Sequence, residues 1–275
     1  MKNHKVILGM AAFLALSAVL TVASGQNKQK MIKEEDVIYS ADGVKLKGFI
    51  AYDSELKGKR PAVLVVHEWW GLNDYAKMRA RKLAELGYIA MAVDIFGDGK
   101  TAANPQEAQN LTKPFYQNPG LAKTRLDAAI LKIKENPLTD NSKIAAIGYC
   151  FGGSVVLNSA KLGSDLVGVV SFHGGLAGVP ADRKLLKASI LVCHGGSDKF
   201  IVDKDIETFK HQLDSIGAVY SFKVYSNSTH AFTNPSSTET GKKFNMPIEY
   251  NAEADANSWN DMKSFFNTLF TERKK

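Results

Sequence analysis

Cysteine is scarce here. The 275 residues carry two, Cys150 and Cys193, too few for a disulfide framework. No C-x-x-C pair occurs, which argues against a thioredoxin-like redox protein. The histidines and carboxylates show no paired ligand spacing. His67-Glu68 opens like H-E-x-x-H but lacks the second histidine, so no metal and no other cofactor is implied. No segment recurs at a period of 20–50 residues and no low-complexity tract appears, which sets aside repeat arrays and disorder. Basic residues outnumber acidic ones, 35 to 28, yet the lysines are scattered rather than gathered into a stripe. The excess serves solubility, and a nucleic-acid partner is not expected. What remains is a chain with 45% hydrophobic residues, long enough for one large α/β domain.

The first residues read as a leader. Lys2-Asn3-His4-Lys5 is a short basic region, Val6 to Ala23 is an apolar core, and Ala23-Ser24-Gly25 offers small residues for cleavage. Residues 1–25 are therefore expected to be a signal peptide, with the mature protein periplasmic or extracellular. The alternative is an uncleaved membrane anchor, because the apolar run is long for a signal core. No cysteine lies near the cleavage site, which disfavours a lipoprotein. Residues 26–34 read as a flexible polar lead-in, and residues 35–275 as the folded domain. Two cysteines in an oxidising compartment could pair. Each, however, ends its own expected strand, so free thiols are expected.

Along the chain, Glu35–Ser40 and Val44–Tyr52 read as a hairpin turned at Asp42-Gly43. Pro61–Val66 is a continuous apolar run and so a buried strand. Helical periodicity over Asn73–Leu86 stops at Gly87, and Tyr88–Val93 is the next strand. Phe96–Gly120 reads as a long functional loop with one short helix near Gln106–Leu111. A helix over Leu121–Glu135 and a strand over Lys143–Ile147 follow. Beyond the helix that starts at Phe151, strands are expected at Leu166–Phe172, Ser189–Cys193 and Val219–Tyr225. Helices are expected at Asp203–Ile216 and Ala252–Phe270, and a loop from Ser226 to Glu249. Strands alternating with helices predict an α/β fold: a mostly parallel central sheet, helices on both faces, and an antiparallel N-terminal edge.

The chain is organised around Ile144–Val156. A short apolar run leads into Gly148-Tyr149-Cys150-Phe151-Gly152, after which apolar positions continue at helical spacing. This is a strand–turn–helix corner with cysteine where a nucleophile elbow usually carries serine. So sharp a turn needs flanking glycines, and it aims the thiol at the first amides of the helix. Those amides favour thiolate and can hold an oxyanion. A lone G-x-C-x-G is weak evidence, since small buried cysteines are common.

Order in the chain adds specificity. Catalytic groups of open parallel sheets gather beyond the carboxyl ends of the strands. There stand His67-Glu68-Trp69-Trp70, then Asp94, the elbow, His173-Gly174-Gly175, His194-Gly195-Gly196-Ser197-Asp198 and Ser228-Thr229-His230. Cys150, Asp198 and His230 follow the nucleophile–acid–histidine order of an α/β-hydrolase triad. Alone, Asp198 reads equally as a turn cap and His230 as a loop residue. His67, His173 and His194 read as backbone or core support.

With those motifs in place, the chain from about Glu35 onward resembles the dienelactone hydrolase (carboxymethylenebutenolidase-like) family of α/β-hydrolases. The residues that carry the likeness are HEWWG at 67–71, Ala92-Val93-Asp94, GYCFGG at 148–153, HGGSD at 194–198 and Thr229-His230-Ala231-Phe232. The resemblance implies a Cys150–His230–Asp198 triad, Glu68 near the thiol, and an oxyanion hole from the backbone N–H groups of Trp69 and Phe151. One departure stands out. Family members place arginines about the site to hold a substrate carboxylate, but Asn234 occupies one such position and no arginine follows Asp94. Lys100 is the nearest substitute as a point charge. Trp69, Trp70, Phe151, Tyr116 and Phe232 suggest an apolar or aromatic acyl site. They would read as core side chains otherwise.

The expected activity is hydrolysis of a small ester or lactone through an acyl-cysteine. Trp70, Tyr116, Phe232, Asn234 and Lys100 are the substrate-binding candidates. A binding protein on a retained hydrolase fold and a thiol sensor using Cys150 are the alternatives. No stable membrane association is expected unless the leader is kept, and the chain is read as a monomer or small homo-oligomer.

Overall fold

The computed structural model of the chain describes Met1 and residues 30–271. The expected signal peptide beyond Met1 and the start of the expected lead-in lie outside the described residues.

Eight strands form one sheet: β1 (Ile32–Ala41), β2 (Val44–Asp53), β3 (Arg60–Val66), β4 (Ile89–Val93), β5 (Thr139–Tyr149), β6 (Gly168–Phe172), β7 (Ser189–Gly195) and β8 (Tyr220–Tyr225). Their spatial order is β1-β2-β4-β3-β5-β6-β7-β8. β1 and β2 pair antiparallel, β2 runs antiparallel to β4, and every pairing from β4 to β8 is parallel. The helices are α1 (Asp74–Glu85), α2 (Pro105–Gln117), α3 (Pro119–Lys134), α4 (Phe151–Lys161), α5 (Asp203–Ser215), α6 (Ser237–Phe244) and α7 (Ala252–Thr271).

Strand alternation splits the core into two layers. Ala62, Leu64 and Val66 of β3 join Leu126, Ile130, Val156 and Phe209 from α3, α4 and α5. Val63 and Val65 of the same strand join Ala76, Leu83, Met262 and Phe266 from α1 and α7. Both faces of β3 are buried, and this is why its sequence is an unbroken apolar run. The expected α/β architecture is therefore the observed one.

Three segments differ from the reading of the sequence. β1 begins at Ile32, so Ile32, Lys33 and Glu34 are strand rather than lead-in, paired with Asp53, Tyr52 and Ala51. As an edge strand, β1 is wet on much of its length and its polar sequence hides it; Lys33–Glu35 and Arg81–Glu34 ion pairs, each 2.7 Å, pin the segment. α2 is 13 residues long, twice the short helix expected. Asn104 accepts from the Glu107 N–H at 3.0 Å, while Glu107 accepts from the Ala103 N–H at 2.9 Å, a reciprocal cap that starts the helix at Pro105. α6 folds inside the segment read as loop.

Candidate active site

The elbow is built by close approach. A Cβ on Gly148 would lie 2.0 Å from the Gly152 carbonyl oxygen, and one on Gly152 would lie 2.3 Å from the Val66 carbonyl oxygen. Only glycine lets α4 fold back against β5 while the corner after β3 packs on the same turn. Between them Cys150 sits at φ 53°, a left-handed backbone for a residue with a side chain. The thiol is free and half-buried, and Phe151 opens α4.

The acid and the histidine are joined by a second close approach. A Cβ on Gly195 would lie 2.5 Å from the Ser228 carbonyl oxygen, so the loop after β8 lies directly on the loop after β7. The Ser197 N–H donates to that same carbonyl at 2.9 Å. This places His230 Nδ1 2.8 Å from Asp198 Oδ2, while Asp198 Oδ1 accepts from the Phe200 N–H at 2.9 Å. Asp198 is thus locked from both oxygens, and it holds the Nδ1–H tautomer of His230. The second side-chain partner of His230 is the Cys150 thiol. Burial opposes the imidazolium, but the charges and hydrogen bonds of Cys150 and Asp198 outweigh it and push His230 up to about 10.

Glu68 enters from the corner after β3. Its Oε2 accepts from Asn234 Nδ2 at 2.7 Å. Burial pushes its carboxyl up to about 7, against the opposing pull of Asn234, His230 and Arg79. The corner itself is fixed by His67, whose Nδ1 donates to the Glu68 carbonyl at 2.5 Å and whose Nε2 accepts from the Ile95 N–H at 3.3 Å. Burial pushes His67 down to about 4, so it stays neutral in this backbone role.

These groups open onto a cavity of about 300 Å³. Glu68, Cys150 and His230 line it together with Trp69, Trp70, Tyr116, Phe200, Met246 and Ile248. Tyr116 meets Phe151 edge-on with ring centroids 5.6 Å apart, and Phe200 meets His230 edge-on at 5.1 Å. Among the described residues, no lysine or arginine lines this cavity.

The model of the dienelactone hydrolase family matches residues 46–270. The chain belongs to the dienelactone hydrolase family. It is a hydrolase of the carboxylic ester and lactone class on an α/β-hydrolase fold. A dienelactone hydrolase-like promiscuous phosphotriesterase from metagenomic libraries is 32% identical, covers 86% of this chain and 98% of its own, and superposes with a TM-score of 0.82. Protein usf of Aquifex pyrophilus is 29% identical over 246 residues, spanning 86% of this chain and 98% of that protein. Thermogutta terrifontis esterase 2 shares the fold at 14% identity and a TM-score of 0.62, covering 86% of this chain and 94% of its own.

Within this dienelactone hydrolase framework, the structure gathers Cys150, Asp198, His230, Glu68, Trp69, Trp70 and Tyr116 at one rim of the sheet. Three substrate-binding candidates lie elsewhere. Phe232 is fully buried between His173 and Tyr225, in the core under the site. Lys100 is exposed and faces Asp98 at 3.8 Å, because the Asp94 carboxylate draws the Gly97 and Gly99 N–H groups and curls that loop away. Asn234 is turned inward, with Nδ2 on Glu68 and Oδ1 accepting from the Ser236 N–H at 3.0 Å, so it serves the carboxyl rather than the cavity wall. Met246 and Ile248 also line the cavity, though no motif singles them out in the sequence. They follow α6, and Ile248 bridges to His230, a pairing no local pattern signals.

Proposed function

We propose that the protein hydrolyses uncharged esters or lactones with an apolar acyl group, through an acyl-cysteine on Cys150. Cys150 Sγ attacks the carbonyl carbon with its proton held on His230, whose charged form Cys150 and Asp198 favour. The backbone N–H groups of Trp69 and Phe151 receive the negative oxygen. Collapse of the tetrahedral species breaks the ester C–O bond, and His230 passes its proton to the departing alkoxide. Water then adds to the thioester as His230 removes its proton; the carboxylic acid leaves and the thiol is restored. Asp198 keeps the imidazole oriented throughout. The observation that carries this reading is the convergence of Cys150, His230 and Asp198 on a cavity whose wall is aromatic and aliphatic.

The preference for uncharged substrates follows from the wall. A buried substrate carboxylate would find no lysine or arginine there, and the His230 cation is already committed to Asp198 and Cys150. Glu68 faces the same space, so the carboxylate would be an unpaired buried charge costing several kcal/mol. Mono-p-nitrophenyl succinate and p-nitrophenyl butyrate differ chiefly in a terminal carboxylate. The butyrate is expected to show a kcat/KM about 100-fold higher. Equal or faster turnover of the succinate would overturn the charge argument.

Glu68 is read as a modulator of the thiol. Above about pH 7 its carboxyl is anionic and opposes thiolate by like-charge repulsion; below that it is protonated and the opposition fades. Iodoacetamide is therefore expected to alkylate Glu68→Gln about 10-fold faster than wild type at pH 8.5, with the difference closing at pH 5.5. A variant that reacts no faster at the higher pH would remove Glu68 from this role.

A further inference from the structure

Behind the elbow a chain of hydrogen-bonded side chains runs away from Cys150 to the last helix, and none of its members lines the cavity. The Cys150 N–H lies 3.1 Å from His173 Nδ1 and 3.0 Å from the Phe172 carbonyl oxygen. A donor facing Nδ1 requires a lone pair there, so neutral His173 carries its proton on Nε2. That Nε2–H donates to Thr233 Oγ1 at 2.7 Å. The Thr233 and Tyr75 hydroxyls share a hydrogen bond of 2.7 Å, and the Tyr75 oxygen also accepts from Arg79 Nε at 3.3 Å. Arg79 ends the chain on Asp255 of α7 at 2.5 Å. The His173 tautomer is fixed once the Cys150 amide is placed.

Two left-handed residues meet at the head of this chain, Cys150 at φ 53° and His173 at φ 43°. Such angles cost on the order of 1–3 kcal/mol each and persist only where neighbours over-determine them. The His173 ring also meets the His230 ring edge-on, centroids 5.2 Å apart. Burial and the charge of His230 hold His173 well below the ordinary histidine range, so no second cation forms beneath the working imidazole.

We propose that His173 is a positioning residue, which holds the Cys150 backbone at the angle from which Sγ faces His230 and the cavity together. The proposal rests on Cys150 being the nucleophile. Without the Nδ1 acceptor, the Cys150 amide keeps only the Phe172 carbonyl. The strained corner then relaxes, and a nucleophile misplaced by about 1 Å loses about 100-fold in rate.

Three variants of the whole chain separate this role from ordinary packing. In His173→Asn the amide oxygen takes the place of Nδ1 and can accept from Cys150. In His173→Gln the amide takes the place of Nε2 and reaches Thr233 only. His173→Leu removes both contacts. On p-nitrophenyl butyrate, the Gln and Leu variants are expected to lose about 100-fold in kcat with KM within about 3-fold of wild type, while Asn stays within about 10-fold in kcat. Losses confined to KM, an Asn variant no better than Gln, or losses that follow thermal melting point in all three would overturn the proposal. If the Leu variant does not fold, the Asn–Gln comparison decides alone. A parallel Cys150→Ala sample distinguishes the two failures: full turnover there sinks the nucleophile, whereas a dead Cys150→Ala beside unaffected His173 variants sinks only the positioning role.

Discussion

Cys150→Ala is expected to lower kcat on p-nitrophenyl butyrate by about 10⁴-fold or more, with the protein still folded. Alanine fits the corner sterically, since it adds nothing beyond the Cβ that Cys150 already places at φ 53°. The proposed covalent route is lost with the sulfur. The Trp69 and Phe151 amides and the aromatic wall remain, so a residual rate above that of water should survive. Rapid quenching of the wild type should trap one acyl group per chain, and peptide mass spectrometry should find it on Cys150. Ser154 is the competing hydroxyl on the same wall. An adduct on Ser154, or a Cys150→Ala variant with wild-type turnover, would end the acyl-cysteine reading. Cys193 offers no substitute: it is fully buried, accepts from the Tyr225 hydroxyl at 3.5 Å, and burial pushes its thiol up to about 12.

Much of this site was legible because its constraints are local. The glycines at 148 and 152 answer to backbone contacts of 2.0 Å and 2.3 Å within one strand–turn–helix unit, and such contacts leave a mark in sequence. The buried runs of β3 and β5 and the Asn73 cap of α1 are equally local; Asn73 Oδ1 accepts from the Ala76 N–H at 3.4 Å. What escaped depends on distance in the chain. Phe232 reads as a pocket aromatic because it follows His230 by two residues, yet the positive φ of Ala231 turns it into the core. Asn234 is recognisable as a missing arginine, but its bond to Glu68 spans 166 residues and shows only in three dimensions. Arg79 sits in a basic stretch of α1, between Lys77 and Arg81, and looks like a solvated charge. It is 1% exposed.

That burial sets up the largest expected loss of stability. Arg79 donates to Asp255 Oδ1 at 2.5 Å and to the Thr233 carbonyl at 2.6 Å, and its guanidinium lies 5.2–5.3 Å from the ring centres of Tyr75, Tyr149 and Trp259. Aromatic faces soften the desolvation of a cation but do not neutralise it. Asp255→Ala leaves the guanidinium buried without its counter-ion, which is expected to cost about 3–5 kcal/mol, read as a shift in urea midpoint at unchanged slope. In a chain of this size that corresponds to a melting point lower by about 10 °C. The paired replacement Arg79→Met with Asp255→Leu removes both charges and should recover most of the stability. It would not recover turnover to the same degree, because Tyr75 and Thr233 lose the anchor at the far end of the chain that steadies His173. A single Asp255→Ala variant within about 1 kcal/mol of wild type would mean that water or the aromatic box already carries the Arg79 charge. The route from α7 to the elbow would then be packing alone.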